Sequence, residues 1–138
     1  MKYLLMTLLM FFGSFAYAEI LNFECTYGKA GGDKNSPISH SVDMTNKTWE
    51  KTDGGLTRIG AVTRIFDDVV ASSNSISVKG QYTSYSSLAR EAHVISRVDL
   101  SYSFKLEFHS EILGGWQAPN NYVGQCKIID APSVERAF

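Results

Sequence analysis

The chain has 138 residues, with 13 Lys and Arg against 14 Asp and Glu and a formal net charge of −1. Such a balanced charge gives no electrostatic basis for binding nucleic acid or an anionic membrane, so neither is an expected partner. An apolar content of 44% with 20% charged residues excludes a disordered chain, and the length predicts one domain.

Residues 1–18 have the pattern of a cleaved secretory signal peptide. Lys2 gives a positive start, residues 3–12 are mostly apolar, and the segment ends at Ala18 in a small-x-small pattern. A membrane-spanning helix needs about 20 apolar residues, and this run is shorter and interrupted. We therefore expect cleavage after Ala18, export of a β domain over residues 19–138 to the periplasm or the extracellular medium, and no stable membrane insertion afterwards.

Cys25 and Cys126 are the two cysteines of the sequence. An even count in an exported chain favours a disulfide, and two cysteines allow a single intramolecular pairing. A loop of this length is worth about 4.7 kcal/mol in the chain-entropy model. A catalytic thiol would need an activating base or a CxxC spacing, and the sequence has neither. The pairing predicts that the first and last strands of the mature chain are neighbours or face each other.

Alternation of apolar and polar residues recurs along the chain, whereas helical periodicity is almost absent. The second strand places His40 on its apolar face. The predicted elements before the central hairpin are, in chain order, strands at 21–27, 38–44, 48–51, 56–66, 69–70 and 76–82, a loop at 28–37, and a short stretch of helix-forming composition at 84–92.

The central hairpin, over residues 92–110, has the clearest alternation, which begins at Tyr102. Register follows from side-chain parity, because a slip of one residue exchanges the two faces of a strand. A three-residue loop at 99–101 would place Val98 opposite Tyr102 on the inner face. It would place His93 opposite Glu107 on the outer face, exposed to solvent. A longer loop of the same parity is the alternative.

A second long loop spans residues 110–121, and a last strand follows at 122–128. Trp116 in this loop has two interpretations, a mobile recognition element or a plug that folds back into one end of a barrel; the usual burial of Trp favours the plug. The candidate recognition loop consists of Gly114, Gly115, Trp116, Asn120 and Asn121.

About eight short strands predict an all-β fold, a single antiparallel barrel or a barrel-like sandwich. A disulfide between the first and last strands favours the barrel, because closure removes exposed strand edges. In the last strand, Gly124 stands two residues before Cys126. This position predicts a close approach of another backbone, or a bulge.

The sequence offers no catalytic or metal-binding constellation. Its three histidines lie in no HExxH or Cys/His cluster. Glu107, His109 and Glu111 share strand parity, but neighbouring side chains on one strand face point outward in parallel and do not converge on a metal. The serines occur in no GxSxG motif of the mature chain. We therefore expect no catalytic residues, no metal site and no cofactor.

Four segments give the chain a recognisable layout: a first strand with a cysteine at 22–27, a Val-Asp-Met strand that leads through a turn to Trp49, an Ile-Ser-Arg-Val strand at 95–98, and Gly-Gln-Cys at 124–126. This layout resembles small exported bacterial proteins of unknown function with one disulfide and a predicted antiparallel β-barrel. The resemblance implies the fold and the compartment. It implies no catalytic or binding residue.

The sequence thus favours a non-catalytic exported binding module, whose partner is a small ligand or an envelope protein. The alternative is a protein-directed inhibitor or immunity factor that inserts a loop into a secreted hydrolase. A weak hydrolase that uses outer-face residues such as His93 and His109 is the least favoured of the three.

Overall fold

The computed structural model describes residues 19–29, 37–53, 63–84 and 86–130. These residues form strands and turns and no helix. The strands, in chain order, are β1 (Ile20–Lys29), β2 (Ile38–Asp43), β3 (Thr48–Asp53), β4 (Thr63–Asp67), β5 (Val70–Ala71), β6 (Ser75–Ser84), β7 (Ser87–Ser96), β8 (Ser101–Ser110), β9 (Gly115–Trp116) and β10 (Asn120–Ile129).

The strands form one antiparallel sheet that curls into a half-barrel, which confirms the all-β fold. Along the sheet the order is β4-β3-β2-β1-β10-β8-β7-β6-β5, and β9 pairs with the end of β8 outside this path. Four of the eight neighbouring pairs, β2–β3, β5–β6, β6–β7 and β7–β8, are joined by segments of two to four residues, which antiparallel pairing allows. The central pair, β1 with β10, instead joins the two ends of the described chain.

The concave face of the sheet holds the core. Alternate residues of each strand point into the half-barrel, as the period of two requires. Phe23, Val42 and Trp49 are among the fully or almost fully buried side chains. In β2, the burial alternates from residue to residue, with Ile38, His40 and Val42 inside as the sequence predicts. Burial of apolar area at this face supplies most of the driving force for folding.

The two cysteines lie directly opposite each other in the register of β1 and β10. They form the predicted disulfide, and their Cα atoms are 3.9 Å apart. Next to this bridge, a Cβ atom on Gly124 would lie 1.7 Å from the carbonyl oxygen of Thr26. The predicted close approach of another backbone at Gly124 is therefore confirmed, and the first and last strands are neighbours as expected.

The two ends of the sheet approach each other without forming a backbone ladder in the described residues. Side chains of β4 fill the gap toward β6. The ring of Phe66 lies against the backbone of Gly80, where a Cβ atom would be 2.0 Å from the ring. The guanidinium of Arg64 stacks on the ring of Tyr82. The half-barrel is thus closed on this side by side-chain contacts.

In the stretch of helix-forming composition at 84–92, residues 84 and 87–92 lie in strands, so that expectation is wrong. Residues 87–96 form β7, which pairs with β6 on one side and β8 on the other. Ala89 of this strand is completely buried. Pairing on two sides and burial outweigh a helix propensity that differs by only some tenths of a kcal/mol per residue.

The predicted register of the central hairpin is also wrong. Four residues, 97–100, separate β7 from β8, and His93 pairs with Phe104 where Glu107 was expected. Because the loop differs by one residue from the predicted length, the faces of β7 are exchanged. Val94 therefore lies on the outer face, and His93 is completely buried inside the half-barrel.

Several expectations fall on residues outside the described ranges. They are the signal peptide over 1–18, most of the loop at 28–37, the first part of the strand at 56–66, and the end of the domain at 131–138.

Candidate functional site

Six side chains that carry either a charge or an aromatic ring meet inside the half-barrel. All six are almost completely buried. They come from β2, β3, β7 and β8, which curl around the same space. We call this group the inner polar cluster; it consists of His40, Trp49, Lys51, Glu91, His93 and Tyr102.

Lys51 and Glu91 form an ion pair in this cluster, with Nζ 2.8 Å from Oε1. Burial raises the pKa of the Glu91 carboxyl. The nearby His93 imidazole and the charge of Lys51 outweigh burial, and together they lower that pKa from 4.5 to about 2. Glu91 is therefore ionised. Its second oxygen, Oε2, is buried and accepts no hydrogen bond from any residue that the structure describes.

His40 accepts a hydrogen bond from the indole N–H of Trp49, at 2.9 Å from Nε1 to Nδ1. Burial lowers the pKa of His40 well below 6.5, and the neighbouring His93 and Lys51 lower it further. The ring is therefore neutral. Since Nδ1 accepts, its proton is on Nε2. Within the described part of the chain, that buried Nε2 has no hydrogen-bond partner.

His93 connects the ion pair to Tyr102. Its Nδ1 lies 2.7 Å from the hydroxyl of Tyr102, and its Nε2 lies 3.8 Å from Oε1 of Glu91. The order hydroxyl, imidazole, carboxylate is one that enzymes use to activate a nucleophile. Here the Tyr102 side chain is only 2% exposed. Glu91 lines a cavity above the ion pair and Tyr102 is not among the residues that line it, so the Tyr102 hydroxyl is not placed to meet a ligand there.

A cavity of about 230 Å³ lies above the ion pair. Lys51 and Glu91 form its buried floor, and half-buried side chains form its rim. We call it the mouth cavity; it is lined by Tyr27, Ile38, Lys51, Arg64, Tyr82, Glu91, Phe104, Leu106 and Tyr122.

One wall of the mouth cavity is aromatic. Phe104 and Tyr122 stack with their ring centres 4.4 Å apart and their planes 14° from parallel. Tyr27 meets both rings edge-on, at 5.1 Å and 5.7 Å. These contacts hold each ring in place from two sides. The wall is therefore formed before any ligand arrives.

Two larger depressions have linings less suited to a ligand. One, of about 490 Å³, is lined by charged, amide and small residues that include Lys79, Ala92 and Lys105, and by no aromatic side chain. The other, of about 450 Å³, lies between β4 and β6; it has two aromatic side chains, Phe66 and Tyr82, but its lining is mostly polar and charged and includes Asp67, Asp68 and Lys79. Binding sites for small molecules combine apolar and aromatic walls with a few polar groups. The mouth cavity is the one with this combination and with the ion pair at its floor.

The predicted plug, Trp116, lies on the outer face of the sheet. Its ring centre is 4.1 Å from Cζ of Arg90, and its edge meets the ring of His109 at 5.3 Å. Arg90 also donates to Glu107 at 2.6 Å. Because Glu91 points inward, its neighbour Arg90 points outward. The interpretation of Trp116 as a plug of the barrel is therefore wrong.

The five residues of the predicted recognition loop divide into two groups. Gly114, Gly115 and Trp116 lie together at the turn between β8 and β9, where both glycines have positive φ angles of 85° and 136°. Asn120 and Asn121 begin β10 and pair with β8. The sequence therefore identifies one real turn, which ends at Gly114, and assigns to it four residues that belong to β9 and β10.

The tip of this turn exposes two large apolar side chains. Ile112 is 96% exposed and Leu113 is 71% exposed. Hydrogen bonds hold the turn, from the Leu113 N–H to Oγ of Ser110 at 3.2 Å and from the Gly114 N–H to the Glu111 carbonyl at 3.3 Å. The tip is thus a defined apolar projection on the outside of the molecule.

Neither a metal-binding cluster nor a membrane-spanning helix occurs in the part of the chain that the structure describes. Among residues 19–29, 37–53, 63–84 and 86–130, no group of three or more His, Cys, Asp or Glu side chains is placed to hold a metal ion. Nor does that part of the chain contain a helix that is long and apolar enough to cross a membrane.

Comparison of the chain with protein-family models, with curated proteins and with solved structures finds no match. The function of the protein is therefore inferred from the geometry of its own residues.

Sequence reasoning missed most of the residues that line this site. It assigned His93 to the solvent and did not single out Lys51, Glu91 or Arg64. A signal was nevertheless present, because Lys51 follows Trp49 at a spacing of two and therefore shares its buried face.

Proposed function

We propose that this protein is a non-catalytic binding module that holds a small ligand in the mouth cavity. The observation that carries the proposal is the preformed aromatic wall beside a buried ion pair whose Glu91 Oε2 lacks a hydrogen bond within the described residues. A buried acceptor without a donor costs about 1–3 kcal/mol. A ligand that donates to this oxygen recovers that free energy, which supports a binding role.

Native mass spectrometry of the protein purified from its own host tests the proposal. We expect an adduct on the wild type and its loss in Tyr122→Leu, which removes half of the stacked pair. Val123→Ala is the matched control, because Val123 is the next residue of β10 and is half exposed on the outer face. It should keep the adduct. Adduct-free wild-type protein from every extract, together with no binding of small ring compounds, would contradict the proposal.

Export to the periplasm or the exterior is part of this proposal. The signal-like residues 1–18 support it, and a buried disulfide is compatible with an oxidising compartment. Fractionation followed by mass determination of the purified chain tests it. A mature protein that begins at Glu19 is expected, and a cytosolic protein that retains residues 1–18 would contradict it.

A second candidate function is a protein-directed inhibitor or immunity factor. The exposed tip formed by Ile112 and Leu113 favours it, because an isolated apolar projection fits an enzyme cleft. The test compares wild type, Ile112→Ser with Leu113→Ser, and the control Val98→Ser, which changes an exposed apolar residue in another turn. Wild type and control should capture and inhibit a secreted hydrolase, and the double variant should not. Equal behaviour of all three would exclude this role for the tip.

A further inference from the structure

We infer that the ligand of the mouth cavity is a small monocarboxylate with one flat ring and one neutral O–H or N–H donor. This inference rests on the proposed binding function and adds the chemical class of the ligand. Three features of the cavity support it separately: its charge, its aromatic wall and the buried oxygen of Glu91.

The charges that line the cavity favour a ligand with one negative charge. Lys51 and Glu91 neutralise each other at 2.8 Å. Arg64 has no carboxylate partner among the residues described, so the described lining carries one uncompensated positive charge. A carboxylate balances this charge. A phosphate monoester, at roughly −1.5 to −2, exceeds it.

Arg64 is also oriented for a carboxylate. Its Cζ lies 3.6 Å from the ring centre of Tyr82, so the guanidinium stacks flat on that ring. Stacking covers one face of the guanidinium and leaves its N–H edges available. Those edges match the two oxygens of a carboxylate in a forked pair of hydrogen bonds. Tyr82 thus holds the guanidinium of Arg64 in this orientation at the rim of the cavity before a ligand binds.

The aromatic wall favours a flat body on the same ligand. Phe104 is stacked between His93 and Tyr122, so a ligand ring would extend the stack on the other face of Tyr122. The volume of about 230 Å³ equals that of roughly eight water molecules at about 30 Å³ each. This space accommodates a single ring with a short acidic side chain.

The buried Oε2 of Glu91 requires a hydrogen-bond donor. Its carboxylate is held by Lys51 at the first oxygen, and within the described chain no donor reaches the second oxygen. The donor must be neutral, because an ammonium group would restore the positive excess that the carboxylate of the ligand has just balanced. A hydroxyl or an amide N–H on the ring meets this requirement.

Isothermal titration calorimetry and amide NMR shifts, with a set of related probes, test the inference. The reference probe is 4-hydroxyphenylacetate. Three others each lack one feature: 4-hydroxyphenylacetamide lacks the charge, phenylacetate lacks the donor, and trans-4-hydroxycyclohexylacetate lacks the flat ring. We expect the reference to bind, with shifts at the mouth cavity. Each of the others should bind at least about tenfold more weakly, as expected for loss of a charge-assisted contact or a ring stack.

Variants of Arg64 test whether this residue binds the carboxylate of the ligand. Arg64→Gln should weaken the reference probe at least about tenfold, and Arg64→Lys should give an intermediate affinity because it keeps the charge and loses the fork. Arg90→Gln is the matched control, since Arg90 is also stacked on an aromatic ring but lies on the outer face. It should bind the reference like wild type. Circular dichroism of each variant confirms that it is folded.

The outcomes separate this inference from the proposed function. If the amide binds as well as the acid, or Arg64→Gln binds as well as wild type, the carboxylate class is overturned. If none of the probes binds while host extracts still give an adduct, the inference falls and the binding function stands. If neither probes nor extracts give binding, both fall.

Discussion

The ammonium of Lys51 and the carboxylate of Glu91 meet at 2.8 Å across the interior of the half-barrel. Their strands, β3 and β7, are not neighbours, because four strands lie between them along the sheet. The pair therefore connects opposite walls of the molecule. It lies at the level where the mouth cavity begins.

Removing one partner of this pair should be strongly destabilising. Glu91→Gln takes away the carboxylate that faces the buried ammonium, and we expect a loss of about 3–5 kcal/mol in the free energy of unfolding. The double change Lys51→Met with Glu91→Met should recover most of that loss, since it leaves no buried charge. Urea denaturation measures both.

Glu107→Gln is the control for this prediction. Glu107 pairs with Arg90 on the outer face, where the arginine side chain is 44% exposed. Such a pair is worth at most about 1 kcal/mol. Equal losses for Glu91→Gln and Glu107→Gln would contradict the importance of the buried pair.

Stability should decrease in acid in two steps. The pKa of His40 is lower in the folded than in the unfolded chain, because burial favours the neutral ring. The neutral ring therefore contributes stability that is fully present above about pH 6.5 and is lost as the pH falls below that value. The pKa of Glu91 is about 2 when folded and 4.5 when unfolded. Glu91 thus contributes on the order of 3 kcal/mol to the free energy of unfolding. This contribution is fully present above pH 4.5 and is lost as the pH falls toward about 2.

Urea denaturation from about pH 3 to about pH 8 follows this loss. The double variant of Lys51 and Glu91 provides the comparison, because it removes the Glu91 step and leaves the exposed carboxylates in place. Its slope below pH 4.5 should be shallower than that of wild type. Identical slopes would show that Glu91 does not contribute.

Reduction of the disulfide should weaken the fold by several kcal/mol. The bridge closes a loop with a sequence separation of 101, for which chain entropy gives about 4.7 kcal/mol. Denaturation with and without a thiol reductant measures the difference. Both sulfurs are buried, so reduction of the native protein should be slow unless denaturant is present. An unchanged midpoint after complete reduction would contradict the prediction.

Gly124→Ala should disturb the central strand pair. The new Cβ atom would lie 1.7 Å from the carbonyl oxygen of Thr26, which is backbone and cannot rotate away. We expect a loss of at least about 3 kcal/mol, at the upper end of overpacking effects. Gly114→Ala is the control, because its Cβ meets nothing within 4 Å and only its φ of 85° opposes the change. A larger loss for Gly114→Ala would refute the close approach.

The sequence predicts the fold better than the site. The alternation in β2 and β8 is unambiguous, and the two cysteines define which strands are central. In β7, by contrast, both faces contain apolar residues, with Ala89 and Ile95 on one and Leu88 and Val94 on the other. Alternation alone cannot choose between these faces, so the length of the loop decides. A difference of one residue there moves Glu91 and His93 from solvent to the interior.

The mouth cavity could not be predicted for a related reason. Its floor joins Lys51 of β3 to Glu91 of β7, 40 residues apart. Nothing local in the sequence relates these two positions. They meet because the whole sheet curls, and the curl is a property of the complete strand order.

The position of β1 beside β10 also determines when the protein can finish folding. The hairpins β2–β3, β6–β7 and β7–β8 form from contiguous chain, so they close early and quickly. The middle of the sheet must wait until β10 is available, whose cysteine follows the first one by 101 residues. Until then β1 has an unpaired edge that is prone to aggregation. Assembly therefore runs from the flanks to the centre, and the last pairing brings the two sulfurs together.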